Sequence, residues 1–261
     1  MPVVGIDVGS LTAEAVVVEQ GKITGFVIIP TGSNSRLAGE LAMEKVLAKT
    51  GLKMADLREI VATGYGRINI PFASRRVTEI TCHGRGAFYW DNRVRTVIDI
   101  GGQDSKVIRL DEEGRVLDFA MNDKCAAGTG RFLEVMAQAL EVELNQLAAL
   151  SGRASQSVAI SSMCTVFAES EVVSLIAGGL PREEIARGLH QSVADRTTGL
   201  IRRVGVEEKV MITGGVAKND AVVCALNEKL GITIIVPPEP QITGALGAAL
   251  LAGESNKKGL F

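Results

Sequence analysis

One short pattern occurs twice in this chain and limits the folds that it can adopt. GIDVGSLTAEAVVVE, followed by Gly21, and VIDIGGQDSKVIRLD, followed by Gly114, share an apolar run, an aspartate, a glycine-rich turn and an alternating apolar run. Asp7 aligns with Asp99, an offset of 92 residues (99 − 7). This pattern is typical of two paired strands and the start of a third. The sequence therefore predicts two β-meanders, one in each half of the chain.

Both repeated turns carry the residue types of a phosphate site. Glycine lets backbone N–H groups approach an anion closely, and an aspartate at the end of a strand can reach a metal ion. A third element, VMITGGVAKND, leads from a strand near Val210 through Gly214 and Gly215 into a helix that we expect to begin near Ala217. The chain contains neither a G-x-x-x-x-G-K-[ST] nor a G-x-G-x-x-G pattern, so the P-loop and dinucleotide fingerprints are missing.

Two D-x-G turns followed by T-G-G resemble the ATP-binding superfamily of actin, heat-shock protein 70 and the sugar kinases, over nearly the whole chain. The resemblance implies an α/β, actin-like ATPase fold of duplicated ribonuclease-H-like lobes with a nucleotide cleft between them. We expect the first lobe to span 1–94 and to be closed by a C-terminal helix within 240–261. The second lobe is expected to span 95–239.

Apolar periodicity predicts the other elements of the two lobes. We expect helices near 37–49, 128–140, 165–177, 183–203 and 241–252, strands near 60–62, 210 and 232, and a frayed tail over 254–261. The net charge of −2, the scattered Lys and Arg residues and only ten aromatic residues (7 Phe, 2 Tyr, 1 Trp) argue against nucleic acid as a partner. The chain shows no positive leader and no membrane-spanning apolar run, so we expect a cytoplasmic protein.

Four cysteines in a cytoplasmic chain argue against a disulfide framework. Cys125 and Cys164 each precede a helical pattern, where the helix dipole would lower the pKa of a thiol and favour metal binding. Cys224 and, less firmly, Cys82 are expected to be small buried apolar residues, although His83 beside Cys82 could complete a ligand pair. Two cysteines cannot complete a four-thiolate site, but a two-fold dimer of this chain could.

The segments CAAGTGRF, SSMCTVFAESE, ATGYGR, VIDIGGQD and TGGVA together resemble the activators, or component A, of the 2-hydroxyacyl-CoA dehydratases. This group belongs to a wider ATPase family that includes subunits of benzoyl-CoA reductase. The resemblance implies a homodimer that holds one 4Fe-4S cluster through Cys125 and Cys164 of both copies. Such a protein passes single electrons, driven by ATP hydrolysis, to an iron–sulfur dehydratase (component D), and a ferredoxin or flavodoxin is the expected electron donor.

Roles for the nucleotide site follow from the repeated turns and the resemblance. Asp7 and Asp99 are expected to hold Mg²⁺, and Gln103 or Asp104 to orient the attacking water. The residues expected to contact the nucleotide are Gly9, Ser10, Leu11, Thr12, Ala13, Gly101, Gly102, Gln103, Gly128, Gly214, Gly215, Ala217, Asn219 and Gln241. Family members often carry lysine where this chain has Glu14, which removes a positive charge from the phosphate site.

Other interpretations remain open at this point. The chain could be a small-molecule kinase of the same superfamily, an ATPase subunit of a related acyl-CoA reductase, or a nucleotide-dependent assembly protein of the actin or chaperone kind. The histidines His83 and His190 lack a companion serine or aspartate motif, so we expect them to be packed or solvated and not catalytic.

Overall fold

The computed structural model describes residues 1–161 and 164–254 and contains two sheets. In the first sheet, β1 (Val3–Val8), β2 (Thr12–Glu19) and β3 (Lys22–Pro30) form an antiparallel meander. β4 (Ile60–Thr63) runs parallel to β1, and the short β5 (Arg75–Arg76) runs parallel to β4. The strand order is β3-β2-β1-β4-β5.

The second sheet repeats this arrangement. β6 (Thr96–Ile100), β7 (Ser105–Leu110) and β8 (Val116–Asn122) form a second antiparallel meander, and β9 (Val210–Thr213) runs parallel to β6. The strand order, β8-β7-β6-β9, matches the first four strands of the first sheet. Two β-meanders were predicted from the duplicated pattern, and both are present.

Helices cover the two sheets and connect them. α1 (Ser35–Thr50) packs on β1, β2 and β3; its N-terminus is capped by the side chain of Asn34. α2 (Glu79–Trp90) packs on all four strands of the second sheet, although it precedes that sheet in the chain. α8 (Thr243–Glu254) returns from the end of the chain to pack on β1, β2 and β4. The lobe boundary expected between residues 94 and 95 stays a prediction.

α2 and α8 cross each other at very close range. A Cβ atom built on Gly86 would lie 2.1 Å from the carbonyl oxygen of Thr243, and one built on Gly247 would lie 1.8 Å from the carbonyl oxygen of Cys82. Both positions therefore require glycine, because any side chain would force the two helix backbones apart.

The remaining helices belong to the second half of the chain. They are α3 (Gly130–Ala139), α4 (Leu147–Ser151), α5 (Thr165–Ala177), α6 (Arg182–Val204) and α7 (Asp220–Leu230). α3 packs against α5, and α6 packs against α4, α7, β7 and β8. None of the helices in the described part of the chain is long and apolar enough to cross a membrane.

Three expected elements differ in the structure. The helix expected near Ala217 is preceded by a 3₁₀ turn over Gly215–Lys218 and begins at Asp220, because the side chain of Asn219 caps it by accepting from the N–H groups of Ala221 and Val222. The strand expected near 232 is reduced to a single bridge between Met211 and Ile235, since the prolines at 237 and 238 end the pairing.

The third difference concerns the helix expected to start at residue 128. Gly128 has a φ of +80°, in the left-handed region, so the right-handed helix cannot include it, and α3 begins at Gly130. α2 was not expected at all. Of the expected frayed tail, residues 255–261 lie outside the described residues.

Candidate functional site

A cavity of about 1060 Å³ is lined by the glycine turns of both halves of the chain. It includes most of the residues that the sequence predicted for a nucleotide site: Asp7, Gly9, Ser10, Leu11, Thr12, Asp99, Gly101, Gly102, Gln103, Asp104, Gly214, Gly215, Asn219 and Gln241. Ala13, Gly128 and Ala217 do not line it. Ala13 and Ala217 are buried, and Gly128 packs against the side chain of Arg196.

The two phosphate turns have the same backbone geometry. The N–H group of Gly9 donates to the carbonyl oxygen of Thr12 at 2.9 Å, and the N–H group of Gly101 donates to that of Asp104 at 3.0 Å. The two pairs are again related by 92 residues (101 − 9 and 104 − 12). Each turn therefore presents a short glycine-containing loop to the cavity, as expected of a phosphate-binding backbone.

The strand-end aspartates face glycines that follow the neighbouring parallel strands. Asp7 is in register with Thr63 and Asp99 with Thr213. The next residues, Gly64 and Gly214, have φ values of +83° and +84°, and a Cβ atom on either would lie within 2.8 Å of an aspartate oxygen. Glycine is thus needed twice over at each position, for the backbone conformation and for the space beside the carboxylate.

His83 lies between the two aspartates and was not expected there. Its Nδ1 atom lies 3.1 Å from Oδ1 of Asp99 and 3.3 Å from the hydroxyl of Thr213, and its Nε2 atom lies 3.7 Å from Oδ2 of Asp7. The ring is 6% exposed. It reaches this place because α2, the helix that the sequence did not reveal, carries it to the floor of the cavity.

Lys106 neutralises Asp99. Its ammonium group lies 3.1 Å from Oδ2 of Asp99 and 2.8 Å from Oδ2 of Asp104, in a buried setting. Burial alone would raise the pKa of Asp99, but His83, Lys106 and the hydroxyl of Thr213 outweigh it, so the pKa of Asp99 lies below its ordinary value. Asp99 is therefore held as a carboxylate.

Asp7 has the opposite electrostatic environment. Burial raises its pKa to about 6, against the opposing effect of His83. Glu14 lies opposite Asp7 on the neighbouring strand, and burial together with the nearby Asp7 raises its pKa well above its ordinary value. The side-chain amide of Gln241 donates to Glu14 at 3.3 Å and to the hydroxyl of Thr12 at 3.0 Å. Both carboxyl groups beside the first phosphate turn are thus shifted toward their neutral, protonated forms, whereas Asp99 beside the second turn is held as an anion.

Asn219 lines the cavity at the start of α7, and its side chain is hydrogen-bonded to His190. The Nδ2 atom of Asn219 lies 3.2 Å from Nε2 of His190. Since the amide oxygen of Asn219 already accepts two backbone N–H groups, its amide group is the donor and His190 the acceptor. Burial lowers the pKa of His190 to about 4, which keeps the ring neutral and able to accept.

Cys125 and Cys164 are free and exposed, but only one of them adjoins a helix. Cys164 is the N-cap residue of α5. Cys125 lies five residues before the first residue of α3 (130 − 125), so the expected position immediately ahead of that helix is wrong. The left-handed backbone of Gly128 stops the helix from reaching back to Cys125.

The other two cysteines differ from each other. Cys82 is buried, as expected, and burial raises the pKa of its thiol to about 12. Cys224 was expected to be buried and is exposed, with its thiol 3.6 Å from Glu228. Within one copy, the described residues contain no group of three or more His, Cys, Asp and Glu side chains able to hold a metal ion.

Comparison with known proteins places these features in a family context. Residues 4–252 match the model of the BadF/BadG/BcrA/BcrD ATPase family. The chain is 49% identical to an activator of lactoyl-CoA dehydratase from Anaerotignum propionicum, over 99% of this chain and 100% of that protein. It is 45% identical to a 2-hydroxyisocaproyl-CoA dehydratase activator from Clostridioides difficile (99% and 97%). It is also 47% identical to an (R)-2-hydroxyglutaryl-CoA dehydratase activating ATPase from Acidaminococcus fermentans (95% and 95%).

Solved structures agree with these sequence relatives. Component A of (R)-2-hydroxyglutaryl-CoA dehydratase from Acidaminococcus fermentans superimposes with a TM-score of 0.95, at 44% identity over 99% of this chain and all of that chain. The 2-hydroxyisocaproyl-CoA dehydratase activator from Clostridioides difficile, solved with bound ADPNP, has a TM-score of 0.93, at 45% identity over 99% of this chain and 98% of that chain. A glucokinase from Streptomyces griseus, at 14% identity and a TM-score of 0.60, shares the fold alone. The predicted actin-like ATPase fold and the resemblance to dehydratase activators are confirmed.

Proposed function

Because this chain belongs to the BadF/BadG/BcrA/BcrD ATPase family, we propose that it hydrolyses ATP to activate a 2-hydroxyacyl-CoA dehydratase. The observation that carries the proposal is the identity of 45–49% to three such activators over at least 95% of this chain. The three identities lie within four percentage points of one another (49 − 45), while the relatives act on dehydratases of different acyl groups. The proposal therefore names the 2-hydroxyacyl-CoA class and no single acyl group.

The residues of the cavity fit Mg²⁺ and the phosphates of ATP. Asp7 and Asp99 offer carboxylate oxygens, which Mg²⁺ prefers. The raised pKa of Asp7 indicates a charge that a cation would stabilise. The turns at Gly9 and Gly101 would bind phosphate oxygens through backbone N–H groups. Since Asp104 already pairs with Lys106, Gln103 is favoured as the residue that orients the attacking water.

Cys125 and Cys164 fit an iron–sulfur cluster only when two copies of the chain combine. Each copy supplies two exposed free thiols, and a 4Fe-4S cluster is held by four. A two-fold dimer brings equivalent residues of both copies to one axis. A cluster held there would supply single low-potential electrons to the dehydratase. Val166 and Phe167, beside Cys164 on the first turn of α5, are 65% and 69% exposed and would be covered by the second copy.

The alternative functions have less support. A small-molecule kinase shares only the fold with this chain, as the glucokinase comparison illustrates. Neither a kinase nor a nucleotide-dependent assembly protein accounts for two exposed free thiols, one of them at the start of α5. In the proposed setting the activator works in an anaerobic cytoplasm, where a ferredoxin or flavodoxin reduces it.

Anaerobic purification and iron analysis test the proposal. We expect one 4Fe-4S cluster per two chains, and the reduced protein with ATP should activate a purified dehydratase while ADP should not. Cys125→Ser and Cys164→Ser should each remove the iron. Cys224→Ser is the matched control, since Cys224 is also exposed but should bind no iron. Four irons per chain, or retention of iron in both single variants, would contradict the shared site.

A further inference from the structure

Thr129 connects the second phosphate turn to the segment that carries Cys125. Its hydroxyl donates toward the carbonyl oxygen of Gly102, at 3.0 Å, and toward that of Ala126, at 2.5 Å. Gly102 lines the cavity, and Ala126 directly follows Cys125. A single side chain therefore touches both the proposed nucleotide site and the proposed cluster segment.

The bonding of Thr129 is unusual for its position. It is the N-cap residue of α3, where a threonine oxygen ordinarily accepts an N–H group of the first helical turn. Here the side chain makes no such cap bond. One hydroxyl carries one proton, so the two carbonyl acceptors compete for it. The side chain is fully buried, so water does not replace whichever bond is lost.

The backbone reinforces the same connection. The N–H group of Gly130 donates to the carbonyl oxygen of Gly101 at 2.9 Å, and that of Arg131 donates to the carbonyl oxygen of Gly102 at 2.8 Å. The first turn of α3 is thus fixed to the phosphate turn. Because α3 packs against α5, whose N-cap is Cys164, a shift of α3 reaches both thiols.

The loop that holds Cys125 has a further bond to the sheet. The side-chain amide of Asn122, the last residue of β8, donates to the carbonyl oxygen of Cys125 at 2.8 Å. The loop from 123 to 129 is therefore tied at one end to β8 and at the other to Thr129. Movement of the Thr129 end changes the position of Cys125 relative to β8.

We propose that Thr129 is the positioning residue through which nucleotide in the cavity alters the Cys125 segment. When phosphate binds the turn at Gly101–Gly102, the carbonyl of Gly102 shifts, and the hydroxyl of Thr129 moves between Gly102 and Ala126. This inference rests on the proposed function, since it gives the ATP site a route to the cluster thiols.

Hydrogen–deuterium exchange of the full-length protein, read by peptide mass spectrometry with and without Mg-ADPNP, tests the role of Thr129. Nucleotide is added at a saturating concentration determined separately for each variant. In the wild type, amides of 124–131 should change their exchange rate by about fivefold on binding, as expected when one neutral hydrogen bond is made or broken. Thr129→Val should abolish this difference at 124–128, whose contact with the turn runs through the hydroxyl, and Thr129→Ser, which keeps the hydroxyl, should retain it.

Thr197→Val is the matched control, because Thr197 is equally buried in the same half and its hydroxyl donates only within α6, to Val193. It should keep the wild-type response. A full nucleotide response in Thr129→Val, or none at 124–131 in the wild type, overturns the inference. If Thr129→Val does not fold, the inference is decided by whether the wild type and Thr129→Ser respond to nucleotide at 124–131.

The same data separate this inference from the proposed function. Missing protection at the turns 9–12 and 101–104 would mean that the nucleotide does not bind, and the proposed function would fail. Protection at those turns with no change at 124–131 leaves the ATP site intact and removes only the role of Thr129. The release of iron to a chelator, timed with and without ADPNP, provides a second readout of the same variants.

Discussion

Glu14 and Lys106 occupy equivalent positions in the two halves of the molecule, and one is an acid while the other is a base. Glu14 is in register with Asp7, as Lys106 is with Asp99, and the two are separated by the repeat offset of 92 residues (106 − 14). The duplicated strands therefore place an ammonium group beside Asp99 and a second carboxyl group, whose pKa is raised, beside Asp7. The two phosphate turns are alike in backbone and unlike in charge.

Glu14→Lys should strengthen the binding of Mg-ATP. A lysine at this position would face Asp7 as Lys106 faces Asp99, and would add a positive charge beside the phosphate turn. We expect the dissociation constant to fall about fivefold, the equivalent of about 1 kcal/mol, by isothermal titration. Glu14→Gln should bind nearly as the wild type does, because the raised pKa of Glu14 already favours its neutral form. Weaker binding by Glu14→Lys would show that the Gln241–Glu14 contact matters more than the charge.

Asp7→Asn and Asp99→Asn should have opposite effects on the stability of the nucleotide-free protein. Burial raises the pKa of Asp7 to about 6, so removing its charge should stabilise the fold at pH 7 by about 2 kcal/mol. Asp99 is compensated by Lys106 and His83, and its removal leaves the buried ammonium group of Lys106 with Asp104 as its remaining carboxylate partner, at a cost of about 2 kcal/mol. Urea unfolding in the presence of a chelator measures both changes.

The same two variants should agree in function while they differ in stability. Both remove a proposed Mg²⁺ ligand, so ATP hydrolysis should fall about a hundredfold or more in each, and the iron content should stay unchanged. Wild-type hydrolysis by either variant would exclude that aspartate from the metal site.

His190 should make the protein less stable as the pH falls from about 6.5 to about 4. Its pKa is about 4 in the folded protein against an ordinary value of 6.5, so the unfolded chain takes up the proton first. The resulting loss approaches about 3 kcal/mol once the pH is below 4. The difference in free energy of unfolding between wild type and His190→Leu should follow this window. A difference that is constant with pH would mean that His190 is not buried in its neutral form.

Gly247→Ala should destabilise the protein by about 3 kcal/mol, because the new methyl group would overlap the backbone of α2 at Cys82. Gly199→Ala is the control. Gly199 lies in α6 with no atom within 4 Å of a built Cβ, so alanine should stabilise by up to about 1 kcal/mol through helix propensity. Thermal unfolding of the two variants gives the comparison directly, and equal effects would argue against close packing of α2 and α8.

The repeated features of the molecule could be predicted from sequence, because the offset of 92 residues aligns strand for strand and turn for turn. The same offset would also have revealed Lys106 as the counterpart of Glu14. His83 could not be found in this way, since it lies on α2, whose glycines Gly84 and Gly86 weaken the helical pattern. Those glycines serve tertiary packing, which a local pattern does not record.

The position of Cys125 was predicted less well than that of Cys164 for a related reason. The apolar periodicity of α3 predicts a helix but not its first residue. The helix cannot extend back to Cys125 because Gly128, which lies beside the side chain of Arg196, has a positive φ. His190 was similarly hidden, because its contact with Asn219 joins residues 29 positions apart.

The crossing of α2 and α8 determines which parts of the cleft can travel far. The second sheet is covered by α2, which precedes that sheet in the chain, and the first sheet is covered by α8, which comes from the end of the chain. The two helices meet at Gly86 and Gly247. If the two halves open and close around a nucleotide, we expect them to rotate about an axis at this crossing. Atoms close to a rotation axis move only a short distance, and His83 on α2 and Gly244 on α8 both adjoin Asp7. We therefore expect the carboxylates of Asp7 and Asp99 to stay nearly still while the part of the cavity around Asn219 moves further.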